Sequence, residues 1–216
     1  MKAVARQLGV TEARARQLIA ACDMPARQVS GRWLVPVGAI PRSLRISRPM
    51  SERMAWAFIN LVSGQPVTGV VPSERYRLLQ KRDQLLGSGR PGVLLRSWLR
   101  RRADLLRLAA PAGDIAELLA DPRLVPSGIS DPRSAMSAGN GAEGYVRRSD
   151  LDALVRDYLM AESAEGNVWL RTSDRSLLSP VLLGLVIADL ADHDGPREDG
   201  VVEALLRSVR TDPRCP

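Results

Sequence analysis

Histidine and cysteine are scarce in this sequence, and their scarcity excludes several kinds of site. The 216 residues include one histidine, His193, and two cysteines, Cys22 and Cys215, which lie too far apart to form a CxxC motif. Two cysteines build no disulfide framework, and zinc binding or Ser/His or Cys/His catalysis would depend on the single histidine. The sequence therefore predicts a cytoplasmic chain without a metal site or cofactor.

Long apolar stretches are absent as well. The longest uncharged apolar run, residues 181–188, is far shorter than the ~20 residues that a membrane-spanning helix needs. The first ten residues lack the apolar core of a secretion signal, because Arg6 falls inside the stretch that this core would occupy. No membrane partner is expected.

The charged residues are unevenly distributed along a chain of net charge +7. Residues 1–48 contain nine Lys or Arg and two Asp or Glu, residues 49–110 contain eleven and four, and residues 111–216 contain eleven and eighteen. Nearly all the cations are arginine, which suits phosphate and guanine, although a GC-rich genome produces the same bias. The asymmetry predicts a front that contacts nucleic acid and a back with another role.

The first residues have the spacing of two short helices joined by a tight turn. A helix at 4–8 ends at Gly9, which tolerates the left-handed turn conformation, and Thr11 caps a second helix. Apolar residues on the second helix recur at i, i+3, i+4 and i+7 and so form one buried stripe; they are Ala15, Leu18, Ile19 and Cys22. This pattern predicts a helix-turn-helix.

A β-hairpin is predicted next. Two β-prone runs, 27–29 and 32–36, flank the Ser-Gly turn at 30–31. Trp33 and Val35 share one strand face, which is expected to pack on Leu18 and Ile19.

The exposed face of the second helix carries the predicted base contacts. Arginine matches guanine O6 and N7, and glutamine matches adenine N6 and N7, while the hairpin arginines are expected to hold phosphates or probe the minor groove. The alternative is a solvated helix face used for protein contact. The predicted DNA-contact residues are Thr11, Arg14, Arg16, Gln17, Arg27 and Arg32.

The stretch VARQLGVTEARARQLIAACDMPARQVSGRWLVP resembles the winged helix-turn-helix of excisionases and of the MerR group. The likeness consists of the hydrophobic spacing, the Gly turn, the MPA exit and the GRW wing. Glu12 and Ala13 stand where relatives often have basic or polar residues. The resemblance implies a winged helix-turn-helix domain over residues 1–48.

Residues 49–91 predict a helical joint. Ser51 caps a helix that ends at Ser63, Ser73 caps one that ends at Leu86, and the Gly- and Pro-rich segment 87–92 is expected to be a linker.

Short alternating elements fill the rest, 92–216, and predict a mixed α/β domain. Residues 126–142, rich in Ser, Gly, Pro and Asp, are expected to form a mobile loop. The predicted helices span 94–102, 114–120, 149–159, 180–190 and 200–209, and the predicted strands span 103–109, 144–147 and 167–171. The whole chain is thus predicted to be α+β, with a winged helix-turn-helix, a helical joint and a C-terminal mixed α/β domain.

No motif predicts catalysis. Two matches to G-x-G-x-x-G, at 87–92 and 139–144, do not lie between a strand and a helix as a dinucleotide site requires. Acidic residues beside His193 could hold Mg²⁺, but solvated acids are routine at a helix end followed by a Gly-Pro loop; they are Asp189, Asp192, Asp194, Glu198 and Asp199. A basic run either extends a DNA footprint or forms a solvated face; it comprises Arg96, Arg100, Arg101 and Arg102.

Several phrases of the sequence resemble actinobacterial proteins of the AbiEi antitoxin type. SRPMSERMAWAFINLVSG is similar to their helical joint, and ADPRLVPSGIS, GYVRRSDLDALVRDYLM, NVWLRT and GLVIADLADHDGPRED are similar to their C-terminal domain. In that family the first domain represses the operon's own promoter. The second is needed to neutralise a nucleotidyltransferase toxin encoded nearby. The resemblance implies both roles here.

We therefore expect a non-enzymatic transcriptional autorepressor and antitoxin. Its partners would be double-stranded DNA of its own promoter and a nucleotidyltransferase-type toxin, whose basic face the acidic residues from about 92 onward could cover. One alternative is an excisionase-like architectural DNA-binding protein, for which the ~120 residues beyond the joint would be superfluous. The other is a nuclease or nucleotidyltransferase delivered to DNA.

Overall fold

The chain divides into two compact units, Met1–Arg48 and Pro49–Pro216. The computed structural model describes residues 12–13, 27–29, 32–34, 48–136, 139–173 and 179–211. Helices and a mixed sheet give it an α+β fold, which confirms the predicted class at this level.

The first unit contains the predicted hairpin strands. Strand β1 (Arg27–Val29) pairs antiparallel with β2 (Arg32–Leu34), and Gln28 lies opposite Trp33. This pairing confirms the two strands that the sequence predicted around residues 30–31.

Two residues of the predicted second helix, Glu12 and Ala13, are helical. The remainder of the predicted winged helix-turn-helix lies outside the described residues, and so does the expected packing of the hairpin on Leu18 and Ile19.

A five-stranded mixed sheet forms the centre of the second unit. Strands β5 and β7 are parallel, and all other neighbouring strands are antiparallel. The predicted strands β3, β5 and β7 are confirmed, whereas β4 and β6 are too short to show an alternating pattern. In spatial order the strands are β4 (Leu124–Pro126), β5 (Ala142–Arg147), β7 (Val168–Ser173), β3 (Asp104–Ala109) and β6 (Ala161–Glu162).

Seven α-helices lie in the described part of the second unit, and each overlaps a predicted helix. None of the described helices is long and apolar enough to cross a membrane. They are α1 (Glu52–Val62), α2 (Pro72–Leu86), α3 (Pro91–Leu99), α4 (Ile115–Ala120), α5 (Arg148–Asp157), α6 (Leu183–Asp192) and α7 (Pro196–Thr211).

The two faces of the sheet bury separate hydrophobic clusters. Successive side chains on a strand point to opposite faces. Ala142 and Val146 of β5 therefore join a cluster with Leu118 of α4 and Leu154 of α5. Tyr145 points the other way, into a larger cluster that α1, α2, α3, α6 and α7 share. Helix α6 thus covers the face of the sheet that carries Tyr145.

The helices of the predicted joint belong to the same core as the C-terminal half. Phe58 of α1 and Leu85 of α2 are buried in one cluster with Leu185 of α6 and Val202 of α7. The predicted boundary at 91/92 therefore does not divide the structure. Pro91 begins α3, because proline fits the first helical position, where its missing N–H is not needed.

Gly184 lets α6 approach α1 closely. Its backbone N–H donates to Ser63 Oγ at 2.8 Å, and a Cβ at this position would lie 2.7 Å from the Ile59 carbonyl oxygen. Any larger residue would push the two helices apart. The glycine therefore helps to set the position of α6 against the helical layer.

Most of segment 126–142, predicted to be a mobile loop, packs against the sheet. Two short 3₁₀-helices, Gly128–Ser130 and Pro132–Ser134, occupy it, and Ser127 and Asp131 are buried. Asp131 accepts hydrogen bonds from the backbone N–H and the guanidinium of Arg133. The polar composition of this segment thus supplies buried hydrogen bonds, so the expectation of a mobile loop is wrong for its described residues.

Candidate functional site

The predicted DNA-contact residues all belong to the first unit. Arg27 is the first residue of β1 and Arg32 the first of β2, where Arg32 pairs with Val29. The other predicted contacts lie outside the described residues; they are Thr11, Arg14, Arg16 and Gln17.

The net charge of the chain is concentrated in this same unit. Residues 1–48 contain nine Lys or Arg and two Asp or Glu, whereas residues 49–216 contain 22 of each. The first unit therefore carries the whole net charge of +7, and the second is neutral overall. The basic segment 49–110 and the acidic segment 111–216 fold together, so their charges partly pair inside one unit.

A buried charge network lies between the sheet and α6. Four of its members are at most 3% exposed, and burial of this many charges is tolerated only when they are paired. The parallel pair β5/β7, the end of α3 and helix α6 bring the members together from distant parts of the chain. The network consists of Arg102, Glu143, Arg171, Asp189, Asp192 and His193.

Two arginines hold the same two carboxylates of α6. Arg102 Nη2 lies 2.5 Å from both Asp189 Oδ1 and Asp192 Oδ2. Arg171 Nε lies 3.3 Å from Asp189 Oδ1, and its Nη2 lies 2.9 Å from Asp192 Oδ2. The two aspartates are three residues apart on one helix and therefore share a face. Two cations thus face two anions across the interior.

Hydroxyl donors complete the surroundings of Asp189. Tyr145 donates to Asp189 Oδ1 at 3.0 Å, and Ser127 Oγ donates to Oδ2. Burial raises the pKa of Asp189 in spite of the two arginines, and burial also raises the pKa of Tyr145. Tyr145 therefore stays protonated and remains a hydrogen-bond donor at ordinary pH.

Asp192 lies closer to solvent, with 19% of its side chain exposed. Burial alone would raise the pKa of Asp192, but the charges of Arg102 and Arg171 outweigh burial and lower it. Asp192 is therefore ionised at neutral pH.

Glu143 links this network to the protein surface. Its Oε1 accepts from Arg171 Nη1 at 2.5 Å, and its Oε2 accepts from the Ile129 backbone N–H at 2.9 Å and lies 2.8 Å from His193 Nε2. Gly128 has a φ of +55°, and a Cβ there would overlap the Glu143 carboxylate. Burial opposes ionisation of Glu143, but the His193 hydrogen bond and the Arg171 charge lower its pKa.

An aromatic and cationic contact forms the outer end of the network. The His193 ring stacks on Trp169 with centroids 4.0 Å apart and planes 13° apart. The exposed Arg107 guanidinium lies 4.1 Å from the Trp169 ring centroid. A change at His193 would therefore be sensed by Trp169, since stacked rings share their electronic surroundings.

The structure corrects the expectation that the acids beside His193 are solvated. Asp189 is fully buried, and Asp192 is paired with two arginines. Asp194 is exposed and lies 2.5 Å from Arg96 Nη2. Among the described residues, no group of three or more His, Cys, Asp or Glu is placed to hold a metal ion.

The predicted basic run likewise divides into two kinds of arginine. Arg102 is buried in the network, and Arg96 Nη1 donates to the Ala191 carbonyl at 2.5 Å. Only Arg100 and Arg101 are exposed. Neither a DNA footprint nor a solvated face therefore describes the whole run.

A cleft of about 250 Å³ opens at the carboxyl ends of β5 and β7. Arg147, Asp150 and Ser173 line it, and the buried ring of Tyr145 forms part of its wall. Arg123, also in the wall, is already held by Asp121 and Asp157. The cleft is therefore small and its charges are largely paired.

Sequence reasoning missed the buried network, although one signal pointed to it. Glu143 and Arg171 are charged residues inside runs that otherwise read as buried strands. A charge at such a position is stable only when another buried charge pairs with it. The strands could thus have predicted a partner for each, but not which residue supplies it.

Comparison with protein-family models, with curated proteins and with solved structures finds no match to this chain.

Proposed function

We propose that this chain is a sequence-specific DNA-binding regulator that represses its own promoter, with residues 1–48 as the DNA-binding unit. The observation that carries the proposal is the concentration of the entire net charge of +7 in a separate compact unit of 48 residues. Arginines and lysines that neutralise phosphates release counterions, which is the main source of sequence-independent DNA affinity.

The basic hairpin supports the same proposal. Arg27 and Arg32 begin the paired strands β1 and β2, and a wing of this kind holds phosphates or enters the minor groove. In our proposal Arg14, Arg16 and Gln17 read base edges, with Thr11 beside them at the start of the helix. Sequence specificity would come from these base contacts, and affinity from the phosphate contacts.

We propose further that the second unit neutralises a nucleotidyltransferase-type toxin. This part rests on the resemblance to AbiEi-type antitoxins, whose phrases include most of β5 and the whole of α5, β7 and α6. The neutral charge of residues 49–216 does not favour broad electrostatic covering of a basic toxin. The antitoxin role is therefore proposed for the folded unit as a whole and not for an acidic tail.

A binding assay with the chain's own promoter tests DNA binding. Replacing Arg14 or Arg16 by Ala should weaken binding to the promoter by about 1–3 kcal/mol and binding to random DNA by less. Arg197→Ala, a change at an exposed position of α7, serves as the control and should leave both affinities unchanged. Equal losses on both DNAs would mean that the two arginines contact only phosphate. Absence of binding to the promoter would overturn the proposal.

Co-expression with the adjacent gene tests the antitoxin role. Growth should be rescued by the whole chain and by residues 49–216, but not by residues 1–48. Rescue by residues 1–48 alone would assign the effect to repression. No rescue by any of the three would make the antitoxin role wrong and leave a DNA-binding regulator.

A further inference from the structure

Two arginines at the end of α3 differ from their neighbours in the same basic run. Arg96 pairs with Asp194, and Arg102 pairs with Asp189 and Asp192. Arg100 and Arg101 are exposed and form no hydrogen bond or ion pair with any described residue. Folding thus uses two arginines of the run internally and leaves two facing solvent.

These two arginines stand where the chain enters the second unit. The backbone N–H of Met50 donates to the Trp98 carbonyl at 2.9 Å, which holds the first residues of the unit against the last turn of α3. Lys81 Nζ lies 4.0 Å from the Trp98 ring centroid and adds a third cation beside this turn. The arginines therefore lie near the covalent link to residues 1–48.

Few carboxylates compensate this basic surface. Asp104, the nearest acid along the chain after α3, is held by Arg148 at 2.9 Å. Glu52, at the start of α1, is exposed. Because the second unit is neutral overall, a surface with two unpaired arginines is a local positive feature.

We infer that Arg100 and Arg101 bind DNA phosphates beside the segment held by the first unit. The inference rests on the proposed DNA-binding function and adds a second contact from a unit to which sequence reading assigned another role. Arginine forms bidentate bonds with phosphate oxygens, and each such contact contributes to the salt dependence of binding. The competing role for these residues is purely structural, since cations also stabilise the C-terminal end of a helix.

Salt-dependent binding of the whole chain to a random-sequence DNA duplex tests the inference. The variant R100Q/R101Q should lower the slope of log K against log salt by about 1.8, which is ~0.9 for each phosphate contact. At low salt its affinity should fall by about tenfold or more. The variant R100K/R101K keeps both charges and should keep the slope. The control R156Q/R197Q removes two exposed arginines of α5 and α7 and should leave the slope unchanged.

An unchanged slope in R100Q/R101Q, or an equal decrease in R156Q/R197Q, would overturn the inference while leaving the proposed function intact. Failure of the wild-type chain to bind any duplex would overturn both. If a thermal melt shows that the double variant is unfolded, the single variants R100Q and R101Q replace it, with an expected decrease of about 0.9 each. A purely structural role would instead lower the melting temperature at constant slope.

Discussion

Arg102 and Asp189 form an ion pair of 2.5 Å between residues 87 positions apart in the sequence. Arg102 follows α3, and Asp189 lies within α6, so the pair joins the layer of helices to the helix that covers the sheet. Both side chains are almost wholly buried, at 3% and 0% exposure. The relationship makes the fold of residues 49–216 depend on charges from both halves of that range.

Replacing Arg102 by Met should destabilise the chain by about 3–5 kcal/mol, because Asp189 would remain buried without its closest cation. Urea unfolding followed by circular dichroism measures the change. Arg101→Met, at the neighbouring exposed position, is the matched control and should change stability by less than about 0.5 kcal/mol. Similar stabilities for the two variants would contradict the assignment of Arg102 to the network.

Gly184→Ala should cost about 1–3 kcal/mol, since the added methyl meets the backbone of α1 in a packed interior. The control is Gly200→Ala within α7, where a Cβ would meet nothing within 4 Å. Alanine is the better helix former, so this control should be neutral or stabilising by up to ~1 kcal/mol. Thermal melts compare the two. Equal effects would mean that α6 and α1 are not in close contact.

Asp121→Asn should flatten the acid side of the stability curve. The side-chain hydrogen bond from Arg123 lowers the pKa of Asp121 to about 2, with help from the Arg123 backbone N–H and from Tyr158. Because the folded pKa lies below the unfolded one, this stabilisation is complete above about pH 4 and is lost as the pH falls toward 2. At neutral pH the variant should lose about 1 kcal/mol, a value reduced by solvent screening.

Urea unfolding between pH 2 and pH 7 measures that dependence. Asp152→Asn, at an exposed position of α5, is the control and should follow the wild-type curve. A wild-type curve for Asp121→Asn as well would show that the Arg123 hydrogen bonds do not persist in solution.

Residues 49–216 should fold alone with one cooperative transition, and residues 92–216 should not. The shorter fragment lacks Phe58, Ile59, Leu78 and Leu85, which are at most 1% exposed in the shared core. Loss of several such side chains exceeds the ~5–15 kcal/mol that stabilises an ordinary domain. Calorimetry of both fragments is the measurement, and a cooperative transition in residues 92–216 would restore the boundary that the sequence predicted.

Local patterns predicted most of the helices and the longer strands. The helix capped at Ser51 is found at Glu52–Val62, and the hairpin strands pair as expected. These features depend on residues a few positions apart, which periodicity and capping describe well. Helix α2 instead begins at Pro72, because Glu74 accepts a hydrogen bond from the Val71 backbone N–H at 3.2 Å and is itself held by Arg53.

The buried network and the true boundary between units depend on contacts across long stretches of chain. Arg102 was part of a run of arginines that resembled a solvated face, and Asp189 was part of an acidic helix end. Only the folded arrangement shows that each is the other's counterion. The Gly and Pro residues at 87–92 mark a turn between two packed helices as well as they would mark a linker, so composition alone could not place the boundary.

The central claim is that the first unit provides DNA binding, and the most direct measurement compares the whole chain with residues 49–216 on the same promoter duplex across a salt series. We expect the whole chain to bind with an affinity that falls steeply with salt. Residues 49–216, which lack the +7 unit, should bind at least about a hundredfold more weakly, with a much smaller slope. Equal affinity and equal slope for the two would contradict the account.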